Sequence, residues 1–165
     1  MDSKVELLSP AGDYDSFLAA VENGADAVYL GAKNFSARQN ASNFEGEELR
    51  KALDYAHARD VSVYLAINTL ISDNEMKDAF DIACKAYKDG IDGLIVQDIG
   101  FAKLVRRHLP GLDLHASTQM TVYNIDGVKM LEEFGFKRVV LARELSLDEI
   151  RAITAATSLD VEIFI

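Results

Sequence analysis

The residues of this chain that could do chemistry lie in short polar runs, each directly after an apolar one. Arg38, Asn40 and Asn43 stand in a long asparagine-rich stretch, residues 31–46; Asn68 follows Leu65-Ala66-Ile67, and Asp98 follows Leu94 to Gln97. His115, Ser117 and Gln119 alternate after Leu112 to Leu114, and Arg143 with Glu144 follow Val139 to Ala142. Guanidinium groups grip carboxylates and phosphates through paired hydrogen bonds, while amides and hydroxyls orient what is gripped. Brought together, these residues make a pocket for a ligand bearing a carboxylate or phosphate. Two plainer readings stay open: polar residues gather on exposed loops in any protein, and Arg143 and Glu144 could neutralise each other. A long loop without structure of its own is more often functional, which favours the pocket.

Asp113, His115 and Ser117 share one side of an extended segment, but neighbours in that series sit about 6.6 Å apart. A hydrolytic triad needs direct hydrogen bonds between groups usually brought from separate elements, so a serine nucleophile is not expected here. The sequence holds no Gly-x-Ser-x-Gly elbow, no His-Glu-x-x-His zinc helix and no Walker loop. Cys84, the single cysteine, follows Phe80 at helical spacing and reads as a small apolar residue. One cysteine cannot form a disulfide framework or hold an iron-sulfur cluster by itself. His57 and His108 fall late in helical patterns, where an imidazolium is favourable without any further role.

These polar runs need elements to hold them. Three segments share one design, Asn23 to Leu30, Asp89 to Val96 and Phe134 to Leu141: helix end, glycine, then a short apolar run. The glycine suits the left-handed residue that closes a helix, and the apolar run suits a strand of a parallel sheet covered on both faces. Arg59 to Ala66 repeats the design with Asp60 in place of glycine, and Glu6 to Leu8, Leu112 to Leu114 and Val161 to Ile165 complete seven strand candidates. Helical patterns fill the intervals at Tyr14 to Asn23, Glu47 to Arg59, Asn74 to Asp89, Phe101 to His108, Asp126 to Gly135 and Leu147 to Thr157. Ser72 with Glu75 and Ser146 with Glu149 have capping-box spacing and mark two helix starts.

Six βα units and a seventh strand, with no antiparallel interruption, predict an α/β parallel sheet of the TIM-barrel type rather than an open doubly wound sheet. A complete barrel needs about 200 residues or more, so the 165 residues read as one truncated barrel-like domain, residues 1–165, with a first and a seventh strand lacking outer partners. Such edges invite a second copy of the chain or a further segment. In either architecture ligands bind beyond the carboxyl ends of the strands, which is where the polar runs fall.

Composition bounds the partners. With 17 basic and 27 acidic residues the chain carries a net charge of −10, so phosphate backbones are repelled except at a local basic pocket. Nothing in it approaches the roughly 18 consecutive apolar residues of a membrane span, and its start has no secretory pattern. A cytoplasmic protein without membrane contact is expected.

Several motifs in order resemble one family: Glu6-Leu7-Leu8-Ser9-Pro10-Ala11-Gly12, Gly24 to Gly31, Asn68-Thr69, Val96 to Gly100, His115 to Gln119 and Leu141 to Ser146. Together they are similar to the collagenase-like peptidases, family thirty-two of the unassigned-mechanism class, over nearly the whole chain. Ala37 to Asn43 and Arg151 to Ile153 most resemble the branch that contains a bacterial ribosomal RNA cytidine hydroxylase. The resemblance implies the amino-terminal barrel of a longer enzyme, followed by a cysteine-bearing region whose start would come just after Glu162 to Ile165. It implies oxygen-independent hydroxylation of an RNA base, with an iron-sulfur cluster and prephenate as co-substrate in the full-length protein and no cofactor within this chain. A peptidase is the second function it allows. An inactive module that binds a ligand, its missing carboxyl-terminal region or a second copy is the third. Arg38, Asn40, Asn43, Asn68, Asp98, His115, Ser117, Gln119, Arg143 and Glu144 carry over as substrate-contact or domain-contact positions, with no catalytic role assigned to any of them.

Overall fold

In the computed structural model of the chain, residues 5–37, 44 and 46–165 are described. Seven strands and six helices alternate: β1 (Leu8–Ala11), α1 (Tyr14–Glu22), β2 (Ala27–Gly31), α2 (Glu47–His57), β3 (Ser62–Ile67), α3 (Met76–Asp89), β4 (Gly93–Val96), α4 (Ile99–His108), β5 (Asp113–Ala116), α5 (Ile125–Phe134), β6 (Arg138–Val140), α6 (Leu147–Ala156) and β7 (Asp160–Glu162). The strands form one sheet in sequence order, and every neighbouring pair is parallel. An open doubly wound sheet would reverse its order at a switch point; this one never does, and it curls into part of a barrel.

Alternation along the strands sorts side chains into two layers. Val63, Leu65 and Ile67 of β3 point outward into the main core, where the strands meet Phe17, Leu53, Phe101 and Leu131 from the surrounding helices. Tyr64 and Ala66 point inward, and with Ala27 and Ile95 make a much smaller apolar cluster inside the curl. The outer layer therefore supplies most of the apolar burial, leaving the inner one free to be polar.

Several expected boundaries differ. β5 runs Asp113–Ala116 rather than Leu112 to Leu114, so His115 is a strand residue and not part of the loop after it, and α4 begins at Ile99 rather than Phe101. β1 runs Leu8–Ala11 rather than Glu6 to Leu8, so Ser9 and Pro10 belong to the strand and not to the loop after it. β1 pairs on one side alone among the described residues, and an edge strand accommodates a proline that cannot donate to a ladder. β7 is Asp160–Glu162 rather than Val161 to Ile165, because Ile163, Phe164 and Ile165 project from the sheet and are exposed. α3 begins at Met76: the Glu75 carboxylate accepts from the Ser72 N–H at 3.0 Å, but the Glu75 N–H donates to the Ser72 carbonyl at 2.9 Å rather than to its hydroxyl, so the reciprocal half of the box is unmade. At Ser146 and Glu149 both halves form. Gly90 and Gly135 close α3 and α5 in the left-handed conformation, as their place in the repeated design requires.

β1 and β7 make no ladder with each other, and a side chain spans the gap instead. Arg138 at the start of β6 reaches across the interior to Glu6, just before β1, with an Nη1 to Oε1 distance of 2.6 Å.

Candidate functional site

A cavity of about 220 Å³ opens at the carboxyl ends of the strands. Gly12 after β1, Gly31 of β2, Asn68 after β3, Ser117 and Gln119 after β5, and Arg143 after β6 all line it, as do Glu162 of β7 and Phe164 beyond it. Of the residues singled out from sequence, the fold thus gathers Asn68, Ser117, Gln119 and Arg143. Arg38, Asn40 and Asn43 lie outside the described residues.

Each of these side chains is held by its element. Asn68 Oδ1 accepts the Ala37 N–H at 3.0 Å, and Thr69 Oγ1 donates to the Phe35 carbonyl at 3.3 Å, so the end of β3 anchors the long loop after β2. Ser117 is buried; its Oγ accepts the Gln119 N–H at 3.2 Å and caps a single 3-10 turn, Thr118–Met120. Gln97 donates to the Gln119 carbonyl at 3.3 Å and ties that turn to β4. Arg143 is exposed, and its guanidinium lies 4.3 Å from the centre of the Phe164 ring. No ion pair joins Arg143 to Glu144 among the described residues, so their mutual neutralisation does not occur there. Glu144 is exposed and does not line the cavity.

Asp98 has a different task. It caps α4, accepting the Phe101 N–H at 2.8 Å and, through its other oxygen, the Ile71 N–H at 3.4 Å. His115 sits inside the curl, with its ring edge-on to Tyr64 at 4.5 Å between centroids. It has room because β4 carries Gly93 there: a Cβ at that glycine would come within 3.2 Å of His115 Nε2.

Below the cavity lies an arrangement the sequence reading did not identify as a site. Arg138 is nearly buried and pairs with Glu6 at 2.6 Å and with Glu162 at 3.5 Å, while Tyr64 donates to Glu6 at 3.2 Å. Burial works against the Arg138 charge, but the bond to Glu6 and the neighbouring Glu162 more than compensate and hold its pKa above the ordinary value. Burial lowers the His115 pKa to about 3, with Arg138 and Lys137 adding to the effect, so its imidazole is neutral near pH 7. Burial also raises the Glu162 carboxyl above its usual range, opposed by Arg138. The signal in the sequence was an arginine and a glutamate in strands of a parallel sheet, where continuous apolar residues are the rule.

The described residues contain no group of three or more His, Cys, Asp or Glu side chains arranged to hold a metal ion. Cys84 lies half-buried on α3. An iron-sulfur cluster therefore does not fit the residues present.

A model of peptidase family U32 matches residues 12–165. The chain is 41% identical over 162 residues to the 23S rRNA 5-hydroxycytidine synthase of Escherichia coli, covering 98% of this chain and 24% of that protein. It is 42% identical over 149 residues to a protein of Methanocaldococcus jannaschii named an uncharacterized protease, covering 90% and 36% respectively. It is 37% identical over 163 residues to the tRNA hydroxylation protein P1 of Bacillus subtilis, covering 98% and 38%. The chain thus spans about a quarter to two fifths of these relatives' length. Among solved structures, the U32 peptidase Mk0906 superposes with a TM-score of 0.77 at 15% identity, over 99% of this chain and 69% of that one, a likeness of fold.

Proposed function

The chain belongs to peptidase family U32, and we propose that it is the barrel part of a cytoplasmic enzyme that hydroxylates a base in RNA. The observation that carries this reading is the 41% identity, across nearly the whole chain, to an rRNA hydroxycytidine synthase, joined by the tRNA hydroxylation protein. The cavity supplies a place for a small planar or anionic substrate. Arg143, exposed at its rim, is suited to an RNA phosphate or to the carboxylate of a co-substrate such as prephenate, and Asn68 and Ser117 line the wall beside it. With a net charge of −10, the chain favours contact at a local cationic rim over tracking along a phosphate backbone. An iron-sulfur cluster would need ligands from outside these residues, and no step is derived through it.

The second reading is a peptidase, favoured by the 42% identity to the protease-named relative. The site chemistry does not support it. Ser117 Oγ is occupied as a cap, no hydrogen bond joins it to His115, and the described residues offer no activated nucleophile at the cavity. Nucleoside mass spectrometry on ribosomal and transfer RNA, from cells with and without the gene encoding this chain, tests the choice. Loss of a singly oxygenated pyrimidine on deletion, restored by the gene, is expected. Unchanged RNA together with peptide cleavage by the purified gene product overturns it.

A further inference from the structure

Among the described residues the cavity wall contains one carboxylate, Glu162, and its setting suggests what it recognises. Glu162 Oε2 faces Arg138 Nη1 at 3.5 Å, and the other carboxylate oxygen, Oε1, has no hydrogen-bond partner among the described residues. Arg138 is itself fixed by Glu6, so the Glu162 carboxylate is tethered on one side and available on the other. Phe164 is exposed on the same cavity, with the Arg143 guanidinium 4.3 Å from its ring centre. A flat aromatic face backed by a cation is a platform on which a base stacks. At about 220 Å³ the cavity is smaller than the 300 Å³ or more typical of drug-sized ligands, which suits one ring.

We propose that Glu162 is the specificity-determining residue of this pocket: its carboxylate accepts the exocyclic amino group of a cytosine stacked on Phe164. This rests on the reading of the chain as part of an RNA-base hydroxylase. An ionised carboxylate only accepts hydrogen bonds. Cytosine presents an N4 amino donor where uracil presents the O4 acceptor, so the same oxygen attracts one base and repels the other. Gln119 cannot make this choice, since its amide turns to offer either a donor or an acceptor, and Asn68 Oδ1 is already taken by the Ala37 N–H. Arg138 acts on the base through Glu162 and is a positioning residue.

The test replaces the chromosomal gene with versions carrying Glu162→Gln or Phe164→Leu and quantifies hydroxylated cytidine and hydroxylated uridine in total RNA. Deletion should remove hydroxylated cytidine. Glu162→Gln should lower it on the order of tenfold to a hundredfold and raise the ratio of hydroxylated uridine to hydroxylated cytidine. Phe164→Leu should lower the product and leave the ratio alone, as any merely structural loss would. Wild-type product and ratio in the Glu162→Gln strain overturn the proposal while the hydroxylase reading stands, as does loss of hydroxylated uridine alone on deletion. Deletion that changes neither nucleoside overturns the reading itself. Should the Glu162→Gln protein fail to accumulate, titration of the wild-type chain with cytidine and uridine 5′-monophosphates decides, read from the Gly31 and Phe164 amide resonances. A tenfold preference for the cytidine nucleotide supports the proposal, and equal binding or none overturns it.

Discussion

Mild acidification should destabilise this protein through one buried imidazole. His115 is 2% exposed, its Nδ1 has no partner, and its pKa falls from 6.5 to about 3 on folding. The unfolded chain binds a proton at this site below pH 6.5 and the folded chain does not until about pH 3, so folding is favoured on the alkaline side. The contribution is complete above pH 6.5 and is lost as pH falls through the window down to about 3. At 1.36 kcal/mol per pKa unit, the 3.5 units between those values correspond to about 5 kcal/mol in full. About 2 kcal/mol of it disappears between pH 7.5 and 5.0. That is a large share of the 5–15 kcal/mol typical of a domain. Glu162 titrates with the opposite sign, since its raised carboxyl favours folding at low pH, and it partly offsets the loss. Urea unfolding at pH 7.5 and 5.0 measures the difference, and His115→Leu should flatten it, because the substitution leaves no polar atom unpaired. Equal wild-type stability at the two pH values, or a parallel fall in His115→Leu, refutes a neutral buried imidazole.

Three further substitutions probe the parts around it. Arg138→Met leaves the half-buried Glu162 and the more exposed Glu6 without their cation and should cost about 2–4 kcal/mol in urea unfolding; adding Glu6→Gln should recover part of that, and strict additivity would deny the pairing. Gly93→Ala puts a Cβ 3.2 Å from both the Asp113 carbonyl oxygen and His115 Nε2, so calorimetry should show a loss of about 1–3 kcal/mol; an unchanged Tm would reject the close approach. Asp98→Ala should cost about 1 kcal/mol through the uncapped α4 and leave RNA modification intact; modification lost at nearly full stability would place Asp98 in the site.

The repeated unit of helix, glycine and apolar strand made the architecture readable, because each copy carries its own stop signal and its own buried strand. Gly90 and Gly135 are such cases, and the register that follows from them puts Asn68, Ser117 and Arg143 at one end of the curl. Boundaries were less legible where a residue's usual preference yields to position: Pro10 reads as a loop residue, yet an edge strand accepts it. Asp98 shows why polarity after a strand is ambiguous, since a helix cap and a ligand contact both want a carboxylate there. The polar interior was the hardest part to foresee. Glu6 and Arg138 are 132 residues apart and meet only because the sheet curls, and no local pattern encodes that encounter.

The strictly sequential strand order also shapes how the chain is made. Each strand pairs with the one synthesised just before it, so βα units can be added in turn as they leave the ribosome, with little loop entropy lost at each addition. Glu6 is the exception. Its guanidinium partner follows 132 residues later, a wait of roughly 7 to 26 s at common translation rates of about 5–20 residues per second. Throughout that interval the Glu6 carboxylate has no guanidinium partner, and the arrival of β6 is the step that brings Arg138 across to it.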